Sequence, residues 1–179
     1  TVGTSGTFLW DGLGVFTLSA AGSHSDSGNG LLAAAEFERQ SRSFSVNLRT
    51  QAASANFAQL GMPPGLRAPI MLSEARVGFP VPGAGTVGLG YVDQHYRDRP
   101  DVRLASVSYQ VKAGPGSLLV SAFRIESFDG VRRTENALSV TFTMPLDGRT
   151  SASAGAVRQA GDSYGTVQVQ RNLPAGEGM

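Results

Sequence analysis

Apolar and polar residues alternate with a period of two along most of the chain, and clusters of Gly, Pro, Asn or Asp interrupt the alternation at short intervals. Residues 14–22 set Phe16, Leu18 and Ala20 against Thr17, Ser19 and Ala21. Residues 42–50 set Phe44, Val46 and Leu48 against Ser45, Asn47 and Arg49, and residues 136–144 set Leu138, Val140, Phe142 and Met144 against Ser139, Thr141 and Thr143. Successive side chains on a strand point to opposite faces, so each segment predicts a strand with one apolar and one polar face. Further segments at 30–38, 70–79, 86–94, 102–111, 117–126, 150–157 and 164–171 bring the expectation to roughly ten strands. Ala33, Ala34 and Ala35 have high helix propensity, but Gly28 and Gly30 before them and Ser41 after them bracket a strand-length unit. The predicted fold is all-β, an antiparallel meander.

Connections at 23–29, 51–69, 95–101, 127–135 and 158–163 read as longer than those at 39–41, 80–85, 112–116 and 145–149. Tight turns at one end of the strands and longer loops at the other describe a transmembrane outer-membrane β-barrel. The longest connection, 51–69, holds Gly61, Pro63, Pro64 and Gly65 and is expected as an extracellular loop, which puts 172–179 on the periplasmic side. A small soluble barrel buries its apolar face, whereas a wide membrane barrel turns it outward around a polar lumen. On the membrane reading Glu36, Arg49, Glu74, Arg76, Ser139, Thr141 and Thr143 face the lumen, and Phe44, Val46, Leu48, Leu138, Val140 and Phe142 face lipid.

Composition favours the membrane reading. Hydrophobic residues make up 41% of the 179 residues and charged residues only 16%, against roughly 25% charged in soluble domains. Lys112 is the single lysine, although the outward positions of a soluble sandwich would be rich in Lys and Glu. With a net charge of +1 and scattered basic residues, no electrostatic stripe for nucleic acid is present. Cysteine is absent, which excludes disulfides and thiol chemistry. No apolar run approaches the ~20 residues of a membrane helix. Residues 1–179 read as one internal piece of a single barrel domain within a longer protein, with no soluble domain recognised beside it.

Candidate chemistry is sparse. Gly83-Ala84-Gly85-Thr86-Val87-Gly88 matches the dinucleotide spacing G-x-G-x-x-G, but a strand pattern follows where that motif needs a helix, so it reads as a hairpin turn. His24 and His95 fall in expected loops with no second metal ligand at a useful spacing. Asp26 to Gly30 carries turn chemistry rather than a calcium loop. Glu36 and Glu38 share a strand face, and the nearby Arg39, Arg42 and Arg49 point to a charge network rather than an acid/base pair. No nucleophile elbow is present. The expectation is a protein without enzymatic activity, cofactor or metal.

Two stretches carry a family resemblance. Met144-Pro145-Leu146-Asp147-Gly148-Arg149 followed by the Ser/Ala-rich Thr150 to Ala154, and Val167 to Asn172 leading into Leu173, Pro174, Gly176 and Gly178, resemble hairpins of fimbrial outer-membrane ushers. Gly116-Ser117-Leu118-Leu119-Val120-Ser121-Ala122 is similar in style. The resemblance covers the last third of the chain in its motifs and the remainder by strand style. It implies a barrel of about two dozen strands in the outer membrane of a Gram-negative bacterium. As partners it implies membrane lipid, pilus subunits and the periplasmic chaperone complexes that deliver them. A porin or autotransporter translocator shares every feature except these turns, and a soluble all-β binding module shares only the alternation.

Overall fold

The structure, a computed structural model, describes residues 1–25, 28–58 and 67–171. These form eleven strands: β1 (Val2–Trp10), β2 (Gly14–Ser25), β3 (Gly28–Gln40), β4 (Ser45–Ala53), β5 (Met71–Val81), β6 (Gly85–His95), β7 (Asp101–Ala113), β8 (Gly116–Asp129), β9 (Val131–Pro145), β10 (Thr150–Gln159) and β11 (Asp162–Arg171). They pair antiparallel in chain order in one sheet, β1 next to β2 through to β11. The meander expected from the alternation is therefore the fold, and the Ala33 to Ala35 run lies inside β3.

Three expectations need correction. An additional strand, β1, stands at the start, where Gly3 and Gly6 dilute the alternation of Val2, Thr4, Phe8 and Trp10. Residues 42–44 belong to the β3–β4 turn rather than to a strand, so Phe44 stands just before β4. Of the five connections expected to be long, only 54–70 and 96–100 are; β8 and β9 run on to a single turn residue, Gly130, and β10 and β11 meet at Ala160 and Gly161. Polar composition had suggested loops at 127–135 and 158–163. A strand that projects past an apolar band keeps its ladder hydrogen bonds whatever its side chains are, so composition there does not end the strand. Of the 23–29 segment, Asp26 and Ser27 lie outside the described residues.

The turns themselves follow local chemistry. Ala160 and Gly161 both take positive φ, 51° and 99°, as a two-residue type I′ hairpin requires. Gly85 closes the β5–β6 hairpin with φ 112°, and a Cβ there would lie 2.2 Å from the carbonyl oxygen of Gln110. Strand β6 leaves directly from it, so the G-x-G-x-x-G segment is a hairpin and not a helix start. We call the end bearing 11–13, 41–44, 82–84, 114–115 and 146–149 the turn end, and the other the loop end.

No second layer covers this sheet among the described residues. Of the described residues only Ala53, Phe57 and Ala68 form a buried hydrophobic core, and none of them is a large side chain that is fully buried. Leu18, Leu48, Leu89 and Leu138 are each 43–55% exposed, while Ser23 and Ser121 are buried. That distribution is the reverse of a water-soluble protein, in which large apolar groups are the first to leave the surface.

Candidate functional site

Register sorts the side chains of the eleven strands into two faces. Thr17, Glu36, Arg49 and Glu74 lie side by side across β2 to β5. Asn47, Arg76, Gly90 and Ser106 form the next row toward the turn end, and Gly78, Gly88, Ser108, Ser121 and Ser139 the row after it. Thr141 pairs with Gly155 and Leu119, and Thr143 with Ser117 and Ser153. All seven residues singled out as lumen candidates thus share one polar face. Across the sheet, Val46, Val77, Leu89, Val107, Ala122 and Leu138 form a row. Val140 pairs with Val120, Phe142 with Leu118, and Leu48 with Phe37. Of the lipid candidates, Val46, Leu48, Leu138, Val140 and Phe142 thus share the opposite, apolar face, and Phe44 stands in the turn beside Arg39.

On β7 the polar-face residues Leu104, Ser106 and Ser108 are half-buried, while the apolar-face Ala105, Val107 and Tyr109 between them are exposed. β10 repeats the contrast, with Ser151, Ser153 and Gly155 half-buried against Ala154 and Ala156. Side chains crowd on the inside of a curve and splay on the outside, so the sheet curls toward its polar face.

Charges on the polar face are paired by neighbours rather than by one network. Asn47 Nδ2 donates to Glu36 at 2.8 Å, Arg49 Nη2 donates to Gln51 at 3.3 Å, and Arg76 Nη2 stands 3.7 Å from Glu74. Arg39, expected to join them, is on the apolar face, its guanidinium 5.3 Å above the ring of Phe44. It stands three positions along β3 from Glu36, and an odd offset on a strand changes faces.

The ends of the apolar face differ. At the turn end lies an aromatic belt: Trp10 meets Phe16 edge-on at 5.7 Å, Phe16 meets Phe37 at 4.7 Å, and Phe79, Tyr109 and Phe142 continue it. Between the ends, β7 offers Ala105, Val107, Tyr109, Val111 and Ala113, a nine-residue stretch that matches the ~9–11 residues needed to cross a bilayer. Beyond it at the loop end the same face turns charged. Arg103 Nε donates to Asp93 at 3.3 Å, and Glu126 accepts from Arg124 at 2.9 Å and from Arg132 at 2.5 Å.

The 54–70 connection does not simply project from the loop end. Ser54 N donates to Leu31 O, and Leu31 N donates to Ser54 Oγ, both at 2.8 Å. The chain then crosses β3 and β2: Phe57 packs with Ala53 and Ala68 against Ala21 and Leu32, and Ala58 N donates to Ser23 Oγ at 2.9 Å. Thr1 Oγ1 donates to Ala58 O at 3.3 Å. Ala21, Ser23 and Leu32 belong to the polar face, so residues 54–58 lie over the inside of the curve. Gly30 makes this possible, since a Cβ there would sit 2.2 Å from Phe57 Cα. Arg97 and Arg99 hold the connection from the other side, through Ala53 O at 2.8 Å and Arg67 O at 3.2 Å. The sequence predicts this connection as an extracellular loop, of which Gly61, Pro63, Pro64 and Gly65 lie outside the described residues. Its signals for the inward course were a lone aromatic, Phe57, and the second glycine at Gly30.

The 96–100 connection is clasped at its base, beyond the apolar rows. His95 Nδ1 lies 2.9 Å from Asp101 Oδ2, and Tyr96 N donates to Asp101 Oδ1 at 2.9 Å. Donation from Tyr96 N–H, then from His95, holds the Asp101 carboxyl below its ordinary range. The bond to Asp101 is the main cause that pushes His95 up, against desolvation. His24 likewise bonds Asn29, at 2.7 Å. No group of three potential metal ligands occurs among the described residues.

No protein-family model matches the chain, and no curated protein matches it. Among solved structures, the chain is similar to a loop deletion mutant of OmpT, an outer membrane protein of Vibrio cholerae, with a TM-score of 0.62 at 13% identity. The match covers 94% of this chain and 62% of that one, so the chain spans less than two thirds of its neighbour's length. The fold is accordingly that of an outer-membrane β-barrel wall, in accord with the class read from the alternation.

Proposed function

We propose that the chain is a section of the wall of an outer-membrane channel and works without bond chemistry of its own. One observation carries this reading: the face with the large apolar side chains is the more exposed, and the face with Ser, Thr, Asn and charged groups is the crowded, inner one. In water the exposed leucines and valines would be costly; against hydrocarbon they are the favoured surface. Phe44, Val46, Leu48, Leu138, Val140 and Phe142 then meet lipid. Glu36, Arg49, Glu74, Arg76, Ser139, Thr141 and Thr143 line a wet passage. The aromatic belt marks the membrane boundary at the turn end, which becomes the periplasmic side.

For cargo, the turn motifs support a fimbrial usher, through which chaperone-delivered pilus subunits pass. The first motif forms a tight turn, in which Asp147 Oδ1 accepts from Arg149 N and Thr150 N, both at 2.7 Å. The second, Leu173, Pro174, Gly176 and Gly178, lies outside the described residues. A polar lumen that binds nothing tightly suits a sliding subunit, since a sticky one would stall. The match to an outer membrane protein supports, as a second reading, another outer-membrane barrel such as a porin or an autotransporter translocator.

Cysteine accessibility in the intact, membrane-inserted protein tests the wall. Val140→Cys should resist a water-soluble thiol reagent and be quenched by a lipid-borne probe, whereas Thr141→Cys should react with the aqueous reagent. Equal labelling at both positions overturns the facing. Loss of surface pili on disruption of the gene supports the usher reading, and unchanged piliation refutes that reading alone.

A further inference from the structure

The charged cluster at the loop end of the apolar face has no role in lining a passage, because it stands on the wrong side of the wall. Arg103, Arg124 and Arg132 belong to the face that carries Val107, Ala122 and Leu138. Arg124 and Arg132 share one carboxylate, Glu126, and Arg103 meets Asp93, while a third carboxylate, Asp101, stands on the same face. The nearby Asp101 is already engaged by His95 and Tyr96. Glu126 lies between Arg124 and Arg132 and so holds the two guanidiniums close together without cancelling both. All three arginine side chains remain 55–60% exposed, and each offers five N–H donors, more than its recorded carboxylate bond uses. Arg103, Arg132 and Phe128 border a depression of about 280 Å³, and Phe128 is itself 61% exposed beside them.

We propose that Arg103, Arg124 and Arg132 bind the phosphate group of an anionic membrane lipid whose acyl chains lie along the apolar rows below. The inference rests on the reading that the apolar face meets lipid. Donor geometry and position select this occupant: exposed guanidinium forks match phosphate oxygens, and the cluster sits one bilayer-length of strand from the turn end. Phe128 supplies an apolar body at the same level, where aromatic groups anchor at a membrane interface. The other possibility, that the arginines serve only their own carboxylates, is an outcome of the test.

The intact protein is placed in phosphatidylcholine vesicles containing either phosphatidic acid or diacylglycerol, which lacks the phosphate, and the lipid retained on the purified protein is measured. The wild type should retain phosphatidic acid over diacylglycerol. The R103Q/R124Q/R132Q variant should lose that preference by about tenfold or more. R49Q/R76Q, which removes two charges from the opposite face, should keep it. Spin-labelled lipid must still quench a fluorophore at Val140→Cys in the same variant, which reports both an inserted fold and the lipid-facing side. Equal retention of the two lipids by the wild type, or unchanged retention by the triple variant with quenching intact, overturns the site. Loss of quenching in the wild-type background overturns the underlying reading instead.

Discussion

Gly30→Ala is the most informative single change for the inward course of the 54–70 connection. The added Cβ would stand 2.2 Å from Phe57 Cα, 2.3 Å from Phe57 N and 2.5 Å from the carbonyl carbon of Asn56. These are backbone atoms, so no rotamer relieves the clash and the segment must lift from β3. Lifting exposes Phe57, now 5% exposed, at about 1.5–3 kcal/mol for a large apolar side chain. It also breaks the bond from Ala58 N to Ser23 Oγ, worth about 0.5–1.5 kcal/mol. Replacing a strand glycine by alanine returns about 0.5–1 kcal/mol, which leaves a net cost of about 1–4 kcal/mol. Proteolysis of a locally opened segment tracks its open population when reclosing is fast. Cleavage within 54–70 of the purified intact protein should therefore accelerate by about fivefold or more. Gly22→Ala is the matched control, because its Cβ would find its nearest neighbour at 3.9 Å; it should leave cleavage unchanged. An unaltered cleavage rate in Gly30→Ala would refute the packing of Phe57 over β3.

Phe57→Ala should loosen the same segment without touching the strands, at about 3–5 kcal/mol for an aromatic lost from a packed site, read by amide exchange at 54–58; protection equal to wild type contradicts it. The clasp at 96–100 should depend on pH from both sides. His95, raised, contributes fully below its ordinary value of 6.5 and loses that contribution as pH rises through its higher folded value. Asp101, lowered, contributes above its ordinary value of 3.8 and loses it as pH falls through its lower folded value. Amide protection of 96–100 should peak between these limits, and His95→Gln should abolish the alkaline decline. In the β9–β10 turn, backbone N–H donation from Arg149 is the first cause that holds the Asp147 carboxyl low. Asp147→Ala should speed amide exchange at Arg149 and Thr150 while Asp147→Asn, which keeps an acceptor, largely preserves it. Equal exchange in the two variants would mean that the side chain does not hold the turn.

Strand identity and facing were legible in the chain because both are local. Alternation at a period of two follows from the backbone of each strand alone, so Leu138, Val140 and Phe142 separate from Ser139, Thr141 and Thr143 with no knowledge of neighbours. The scarcity of charge and the single lysine gave the membrane class by the same kind of reasoning. Where alternation was diluted, as by Gly3 and Gly6 in β1, the local signal failed. Where polar residues continued a strand, as at 131–135, composition misled.

Tertiary structure alone decided what lies across strands. Register brought Asp93 to Arg103 and Glu126 to Arg132. No segment encodes its own partner; pairing depends on which residues of two strands come level, and a shift of one residue reverses every side. The fold-over of residues 54–58 was hidden for a related reason. Phe57 meets Gly30 and Ala58 meets Ser23 across long stretches of chain, and such contacts form only once β2, β3 and β4 have fixed a surface to receive them. Sequence determined the wall as a list of two-faced strands, because each face is written residue by residue. Structure decided how those faces align, curve and are partly covered, because those are relations between distant residues.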